Sequence, residues 1–214
     1  NKYDVIIIGA GPSGIFCAYE LMRQKPDMKV LMIEKGRSIE KRQCPKRTTK
    51  VCVGCKPCSI TTGFAGAGAF SDGKLSLSPD VGGTLPEILG YEKAEELIKE
   101  ADNIYLKFGA DEKVYGIDDY DAIERIRAKA IRANLKLIEC PIRHLGTEEG
   151  YKIYTRLQEH LLASGVEIKF MTMVQDIIIE DGVAKGVVTD KEETYYADEI
   201  VSGIQAPVHY GPVL

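Results

Sequence analysis

The chain has 214 residues, of which 44% are hydrophobic and 28% are charged, and its formal net charge at pH 7 is −4. These values are those of a globular protein long enough for one large or two small domains. No basic excess suggests nucleic acid, and the longest apolar runs fall far short of the roughly 20 residues that a membrane helix needs. Residues 4–8 are too short, and too soon followed by glycines, for a signal peptide, so we expect a cytoplasmic protein.

The first 34 residues carry the pattern of a β–α–β unit. Residues 5–8 form an apolar run that predicts a buried parallel strand, residues 15–22 predict a helix, and residues 30–33 predict a second strand. The turn after the first strand has the spacing G-x-G-x-x-G, and its residues are Gly9, Gly11, Pro12, Ser13 and Gly14. This order is typical of a dinucleotide-binding site, and a purely structural turn is the alternative.

Each part of the turn has a physical role in such a site. Gly9 permits the tight turn, Gly11 lets the backbone approach a pyrophosphate, and Gly14 lets the helix pack closely against the strand. The helix N-terminus then faces the anion. Glu34 follows the second strand, 20 residues after Gly14, and can accept hydrogen bonds from ribose hydroxyls. Because a carboxylate repels a 2′-phosphate, we expect FAD or NAD here rather than NADP.

A basic, cysteine-rich loop is predicted at residues 35–60, which lack apolar periodicity. Lys35, Arg37 and Arg42 follow the ribose-binding acid. They can meet a cofactor phosphate or an anionic substrate, or they can remain ordinary solvated charges.

The cysteines of this loop are Cys44, Cys52, Cys55 and Cys58, and the last three have the spacing C-x-x-C-x-x-C. Three interpretations are open. Four thiolates can bind zinc or an iron–sulfur cluster, two can form a redox pair that exchanges electrons with a flavin, or all can pack as free thiols. Cys17 and Cys140 are expected to be structural.

Residues 61–83 are rich in glycine and serine. Small residues let the backbone pass near a flat ring, and consecutive N–H groups can face flavin oxygens or phosphates. The alternative is a flexible surface loop. Beyond this segment, the periodicity predicts helices at residues 92–108, 121–133 and 151–163. Strands are predicted at residues 135–139, 166–170, 174–180, 183–189, 193–197 and 200–201, and the last four form a β-meander.

The order of these segments resembles the two-dinucleotide-binding-domain flavoproteins of the glutathione-reductase structural class. The resemblance is carried by G-V-E-I at residues 165–168, V-Q-D-I at residues 174–177, Asp181-Gly182, and A-D-E-I-V at residues 197–201. The middle of the chain is similar to a bacterial family of FAD-dependent dehydrogenases, mostly of unassigned substrate. Its motifs are Cys44-Pro45, C-V-G-C-K-P-C, G-F-A-G-A-G-A-F-S-D-G-K-L, and R-H-L-G-T at residues 143–147.

The resemblance implies an α/β fold, a three-layer Rossmann-like FAD/NAD(P)-binding domain with a parallel sheet, a β-meander and an inserted helical segment. The FAD-binding parts are expected at residues 1–79 and 148–203, and the insertion at residues 80–147. The implied function is an FAD-dependent oxidoreductase that transfers a hydride or electrons between a substrate and a second acceptor, with NAD(P)H as a candidate donor. The alternatives are an NAD-dependent dehydrogenase and a non-enzymatic electron carrier built on the cysteines.

The resemblance also implies further site residues. It places Gly66, Ala67 and Gly68 along the flavin, with Ser71 close behind. By the same analogy, the residues expected at other parts of the cofactor are Val174, through its backbone to the adenine, and Gly203, after the last strand. His144 can supply a proton to a substrate near the flavin, and a surface histidine is the alternative.

The end of the chain departs from the pattern of these flavoproteins. They carry a late glycine–aspartate segment whose helix N-terminus faces FAD, and no such segment follows Gly203. Residues 204–214 contain two prolines and do not continue the pattern. We therefore expect that the protein continues beyond Leu214, or that residues were lost after Gly203. An apolar face left uncovered in this way would favour self-association.

Overall fold

The computed structural model describes residues 2–70 and 73–204. The predictions made for Ser71 and for the tail after Ile204 therefore lie outside the described residues. The described chain divides into two compact units. The first comprises residues 2–69 and 154–204, and the second comprises the described part of 70–153. The second unit is thus longer at both ends than the insertion predicted at residues 80–147.

The secondary structure alternates strands and helices through the first third of the chain and ends in strands. The strands are β1 (Lys2–Ile8), β2 (Val30–Ile33), β3 (Lys74–Ser76), β4 (Val114–Tyr115), β5 (Ile142–His144), β6 (Glu167–Lys169), β7 (Val174–Glu180), β8 (Val183–Thr189) and β9 (Thr194–Ser202). The α-helices are α1 (Pro12–Gln24), α2 (Lys46–Thr49), α3 (Leu85–Leu89), α4 (Tyr91–Lys107), α5 (Tyr120–Arg132) and α6 (Thr147–Ala163). Short 3₁₀ turns lie at Ile39–Lys41 and Ala67–Phe70.

The first unit is built on one six-stranded sheet with the order β6-β2-β1-β9-β8-β7. Strands β6, β2, β1 and β9 are parallel, while β8 and β7 return in antiparallel order as the meander. All four residues of β2 are buried, as expected for a strand that is covered on both faces. The predicted α/β, Rossmann-like fold is confirmed.

Helix α1 covers the parallel part of this sheet, and the C-terminal half of α6 adds buried residues to the first unit. Helix α1 packs on β1 and β2 and buries Ile15, Ala18 and Met22. The C-terminal half of α6 buries Leu157 and Leu161. The parallel strands therefore lie at the centre of the core, and their carboxyl ends form the edge at which a doubly wound sheet binds ligands.

Strand β9 corrects the prediction of two separate strands at residues 193–197 and 200–201. It is a single strand that changes partner along its length. Tyr195 pairs with Val187 of the meander, whereas Ile200 pairs with Ile6 of β1. The acidic pair Asp198-Glu199 interrupts the apolar pattern in the sequence, but the backbone pairing continues through it because both side chains are exposed.

The strand predicted at residues 135–139 is wrong. Leu135 and Ile138 are exposed there, and the nearby strand that finds partners is β5, which pairs with both β3 and β4 in a three-stranded antiparallel sheet. A short apolar alternation alone does not specify a strand, because a strand requires a neighbour for its backbone groups. None of the helices within the described residues combines the length and apolar character needed to cross a membrane.

A buried ion pair organises the second unit. Arg143 on β5 donates to both carboxylate oxygens of Asp102 on α4, at 2.5 and 2.8 Å, and to the carbonyl oxygen of Asp111 at 2.5 Å. The side chains of Arg143 and Asp102 are only 5% and 12% exposed. The hydrogen bond and charge of Asp102 raise the pKa of Arg143, so the guanidinium group is a cation at neutral pH.

We expect Asp102→Ala to lower the free energy of unfolding by about 3 kcal/mol, because it leaves the Arg143 charge buried without its partner. Urea unfolding followed by circular dichroism measures the change. Glu96→Ala is the matched control on the same helix, since Glu96 pairs with Lys93 at about half exposure and should contribute within about 0.5 kcal/mol. Equal effects of the two substitutions would contradict the assignment.

Candidate functional site

The glycine turn closes tightly onto the first strands. The N–H of Gly9 donates to the carbonyl oxygen of Ile33 at 2.8 Å, and Ile15 donates to Gly11 at 2.9 Å to begin α1. A Cβ atom at Gly14 would lie 2.1 Å from the carbonyl oxygen of Gly9. Only glycine therefore lets α1 approach β1 this closely. Pro12 begins the helix without an N–H that would need a partner.

Glu34 joins the ends of β1 and β2. One of its carboxylate oxygens accepts from the N–H of Ala10 at 2.8 Å, and the other accepts from the N–H of Gly36 at 2.7 Å. The residue is only 6% exposed. Each oxygen accepts one of these bonds and keeps a further lone pair, so the carboxylate can also accept from two hydroxyl groups of a ligand.

The segment 61–67 faces the glycine turn. Ala65 donates to the carbonyl oxygen of Ala10 at 2.7 Å, which holds the two segments together. A Cβ atom at Gly36 would lie 2.5 Å from the Cα atom of Gly63, so the loop after β2 also packs directly on this segment. Phe64 is fully buried and meets Phe170 edge to face, with 6.4 Å between the ring centroids. The predicted flexible alternative for this segment does not fit these contacts.

The end of β9 forms the third side. Gly203 donates to the carbonyl oxygen of Ile8 at 2.8 Å, and its own carbonyl oxygen accepts from the hydroxyl of Ser13 at 3.0 Å. A Cβ atom at Gly203 would lie 3.1 Å from the backbone nitrogen of Gly14. The last parallel strand is thereby fixed against the N-terminus of α1.

The glycine turn, the end of β2 with Glu34, residues 61–67 and the end of β9 together line a cleft of about 650 Å³ at the carboxyl ends of the parallel strands. The lining residues are Gly9, Gly11, Pro12, Ser13, Glu34, Lys35, Thr61, Thr62, Gly63, Gly66, Ala67, Ser202, Gly203 and Ile204. The α1 N-terminus, a buried carboxylate and a wall of small residues therefore converge on one space. This combination suits a ligand with an anionic centre and a sugar hydroxyl.

The cleft brings together most of the predicted cofactor residues. Those that line it are Gly9, Gly11, Pro12, Ser13, Glu34, Lys35, Gly66, Ala67 and Gly203. Gly14 packs behind the turn, and Gly68 lies towards the hydroxyl of Tyr154. Val174 packs against the core of the sheet and is not a lining residue among those described. The contact of the Val174 backbone with adenine stays a prediction.

Arg42 differs from its predicted role. Its side chain is not directed to a cofactor phosphate, because it is only 3% exposed and its guanidinium group donates to backbone carbonyl oxygens of residues 59–66. Burial lowers the pKa of Arg42 to about 10, against the opposing effect of the negative charge of Glu34. The group remains a cation at neutral pH and acts from behind the cleft wall.

His144 lies in the second unit, on β5. Its side chain is exposed and meets the ring of Tyr115 edge to face, with 6.4 Å between centroids. Its proton-donating role stays a prediction. In the first unit, the sequence reasoning missed Thr61, Thr62, Ser202 and Ile204. The hydroxyl pair Thr61-Thr62 directly before the glycine-rich stretch was the available signal.

The structure does not bring the four cysteines of the loop together as metal ligands. Its four thiols are free, and within residues 2–70 and 73–204 no group of three or more histidine, cysteine, aspartate or glutamate side chains is arranged to hold a metal ion. The zinc or iron–sulfur interpretation therefore has no support in this arrangement. Cys58 is exposed, and hydrogen bonds from the backbone of Thr61 and of Ile60 lower its thiol pKa, with a smaller lowering from the charge of Arg42.

Comparisons with known proteins agree with this geometry. The Thi4 family matches residues 1–40, which hold the glycine turn and Glu34. A thiamine thiazole synthase of Coprinopsis cinerea is 52% identical over 33 residues, which are 15% of this chain and 10% of that protein. The family match covers the β–α–β unit, and neither match reaches half of the chain.

Solved structures resemble nearly the whole chain at low identity. L-amino acid deaminase from Proteus vulgaris has a TM-score of 0.53 at 14% identity, over 94% of this chain and 47% of its own. Glycine oxidase from Bacillus cereus has a TM-score of 0.52 at 17% identity, over 94% and 54%. A 3-ketosteroid-delta4-(5alpha)-dehydrogenase from Rhodococcus jostii has a TM-score of 0.56 at 17% identity, over 94% and 45%. The chain thus spans about half the length of these proteins, and the likeness shows the Rossmann-like fold.

We expect the Cys58 thiol to be half ionised below the ordinary thiol pKa of about 8.5, because the N–H groups beside its sulfur stabilise the thiolate. The rate of alkylation by iodoacetamide, followed against pH by peptide mass spectrometry, measures this value. Cys58→Ser should remove the fast reaction at pH 7, whereas Cys52→Ser, at another exposed cysteine of the same loop, should retain it. A midpoint for Cys58 at or above 8.5 would contradict the expectation.

Proposed function

We propose that the protein is an FAD-dependent oxidoreductase whose first unit binds FAD in the cleft. The observation that carries this proposal is the convergence of the glycine turn, the Glu34 carboxylate and the wall at Gly66 and Ala67 on one space of about 650 Å³. FAD, when bound, supplies the transfer of a hydride or of electrons. The protein supplies binding, orientation and the local electrostatic field.

The residues of the cleft have distinct proposed roles. Glu34 would accept hydrogen bonds from the adenosine ribose, since its lone pairs are not all used by Ala10 and Gly36. The N-terminus of α1, at Gly11 and Ser13, would face the diphosphate, where its dipole favours negative charge. The opposite wall has small side chains and so leaves room for the dinucleotide to pass.

Two observations favour FAD over NAD: the position of residues 61–67 opposite the glycine turn, and the resemblance of the sequence to FAD-dependent dehydrogenases. The glycine turn and Glu34 suit the adenosine and diphosphate of either cofactor. The contact of Ala65 with Ala10 brings residues 61–67 against the turn, in the segment whose sequence resembles that of FAD-dependent dehydrogenases. A thiazole synthase activity has narrower support, because the Thi4 match ends at residue 40 and reaches none of this wall.

We expect the purified protein to bind FAD more tightly than FMN or NADPH, because FMN lacks the adenosine diphosphate half and NADPH carries a 2′-phosphate near Glu34. Titration followed by flavin fluorescence gives the dissociation constants of the flavins, and isothermal calorimetry gives those of NADPH and NADH. NADH binding tighter than FAD would favour the NAD-dependent dehydrogenase instead. Equal binding of FMN and FAD would exclude the adenosine site as described.

We expect Glu34→Gln to weaken binding of ADP-ribose by roughly tenfold or more, because hydrogen bonds to a charged group contribute about 1.5–3 kcal/mol. Glu34→Arg should weaken it further and improve the relative affinity for 2′-phospho-ADP-ribose, since the repelling carboxylate becomes a cation. Calorimetry measures both ligands. Glu20→Gln, on the solvent-facing side of α1, is the control and should leave both affinities unchanged. An unchanged ratio of the two affinities in Glu34→Arg would contradict the role of this carboxylate.

A further inference from the structure

Arg42 lies behind the cleft wall, and its guanidinium group donates hydrogen bonds to four backbone carbonyl oxygens. The acceptors are the carbonyl oxygens of Ser59 (3.0 Å from Nε), Ile60 (2.8 Å from Nη2), Phe64 (2.5 Å from Nη1) and Gly66 (2.6 Å from Nη1). The four residues belong to a single turn of the chain that continues into the cleft wall. A buried guanidinium group with several carbonyl partners is well satisfied, since it has donors only and no acceptor.

These four bonds fix the direction of the peptide groups. In a trans peptide, the C=O and the following N–H point in opposite directions. The cis peptide bond among the described residues is Lys56-Pro57, so the four peptides in question are trans. In each peptide whose carbonyl oxygen accepts from Arg42, the N–H group therefore points away from the guanidinium group.

The structure bears this out for three of the four N–H groups. Those of Ile60 and Thr61 donate towards the sulfur of Cys58, and that of Ala65 donates to the carbonyl oxygen of Ala10 at 2.7 Å. The fourth belongs to Ala67, for which no acceptor is found among residues 2–70 and 73–204. Gly66 and Ala67 both line the cleft, whereas Arg42 does not. The N–H of Ala67 therefore faces the cleft side.

The position of this N–H indicates which part of a ligand it meets. A Cβ atom at Gly66 would lie 3.6 Å from both the Cα atom of Gly11 and the Cδ atom of Pro12, at the N-terminus of α1. Gly66, the residue before Ala67, therefore lies beside the N-terminus of α1, where backbone N–H groups favour an anion. Ala65 is held at a φ of 69°, a conformation costly for a residue with a side chain. Such strain persists where surrounding contacts over-determine the backbone, as they do at ligand clamps.

We propose that Arg42 is a positioning residue for the diphosphate of the bound dinucleotide, because it orients the Ala67 N–H into the cleft opposite the N-terminus of α1. This inference rests on the proposed dinucleotide function. It assigns the residue no contact with the ligand. Arg42 acts through the direction of the peptide groups, and any diphosphate-bearing adenosine ligand should depend on it.

The test distinguishes the contribution of the diphosphate to affinity from that of the adenosine. Calorimetry is carried out with adenosine, ADP-ribose and FAD on the whole chain and on Arg42→Met, Arg42→Lys and Lys41→Met. We expect Arg42→Met to weaken ADP-ribose and FAD at least tenfold and to change adenosine affinity less than twofold. Arg42→Lys should give an intermediate loss, because one ammonium group cannot span four carbonyl oxygens. Lys41→Met removes an exposed neighbouring charge and should change none of them.

The outcomes distinguish this inference from the proposed function. Equal loss for all three ligands, or no loss for ADP-ribose, would overturn the role of Arg42. Binding of ADP-ribose without binding of FAD by the unchanged protein would overturn the flavin function and leave the Arg42 comparison valid. A cofactor-free readout is the alkylation of Cys58, whose neighbouring N–H groups Arg42 also orients. If Arg42→Met and Arg42→Lys both fold and leave the alkylation rate of Cys58 unchanged, the orientation of the peptides by Arg42 is wrong.

Discussion

The site depends on one buried carboxylate that bridges two strand ends. Glu34 holds the N–H of Ala10 after β1 and the N–H of Gly36 after β2, so the glycine turn and the following loop are fixed by the same side chain. An ionised group at 6% exposure requires such partners, because burial without them would cost several kcal/mol. The group proposed to bind a ribose is therefore also the group that positions the backbone around the proposed site.

A second charge stabilises the other wall from behind. Arg42 lies close enough to Glu34 for their charges to interact, and it holds four carbonyl groups of the turn between Ser59 and Gly66. Two buried groups of opposite charge thus orient the backbone around the cleft. Glu34 accepts hydrogen bonds from N–H groups, and Arg42 donates hydrogen bonds to carbonyl oxygens. Neither arrangement needs large side chains, and most of the residues that line the cleft are glycine, alanine, serine or threonine.

The cysteine loop obtains its chemical character from the same backbone. The N–H groups that face the sulfur of Cys58 belong to peptides whose carbonyl groups Arg42 holds. The thiol is therefore tied to the turn that carries Thr61 and Thr62 into the cleft, and not to the other cysteines. This explains why the C-x-x-C-x-x-C spacing marks a chemically distinct thiol without assembling a metal site in the described residues.

The β–α–β unit, the meander and the residues of the glycine turn were predictable from the sequence, because short-range steric and hydrogen-bonding requirements specify them. Gly14 must be glycine where α1 crosses β1, and Glu34 must follow the second strand. The burial of Arg42 and the continuity of β9 could be read only from the folded molecule, because both depend on residues that are distant in the sequence. The local sequence around Arg42 does not distinguish a solvent-exposed arginine from a buried one. Arg42 is buried because residues 59–66, distant in the sequence, pack around it. Likewise, the acidic pair Asp198-Glu199 is typical of a strand end in the sequence, but the pairing of β9 with β1 continues through it in the structure.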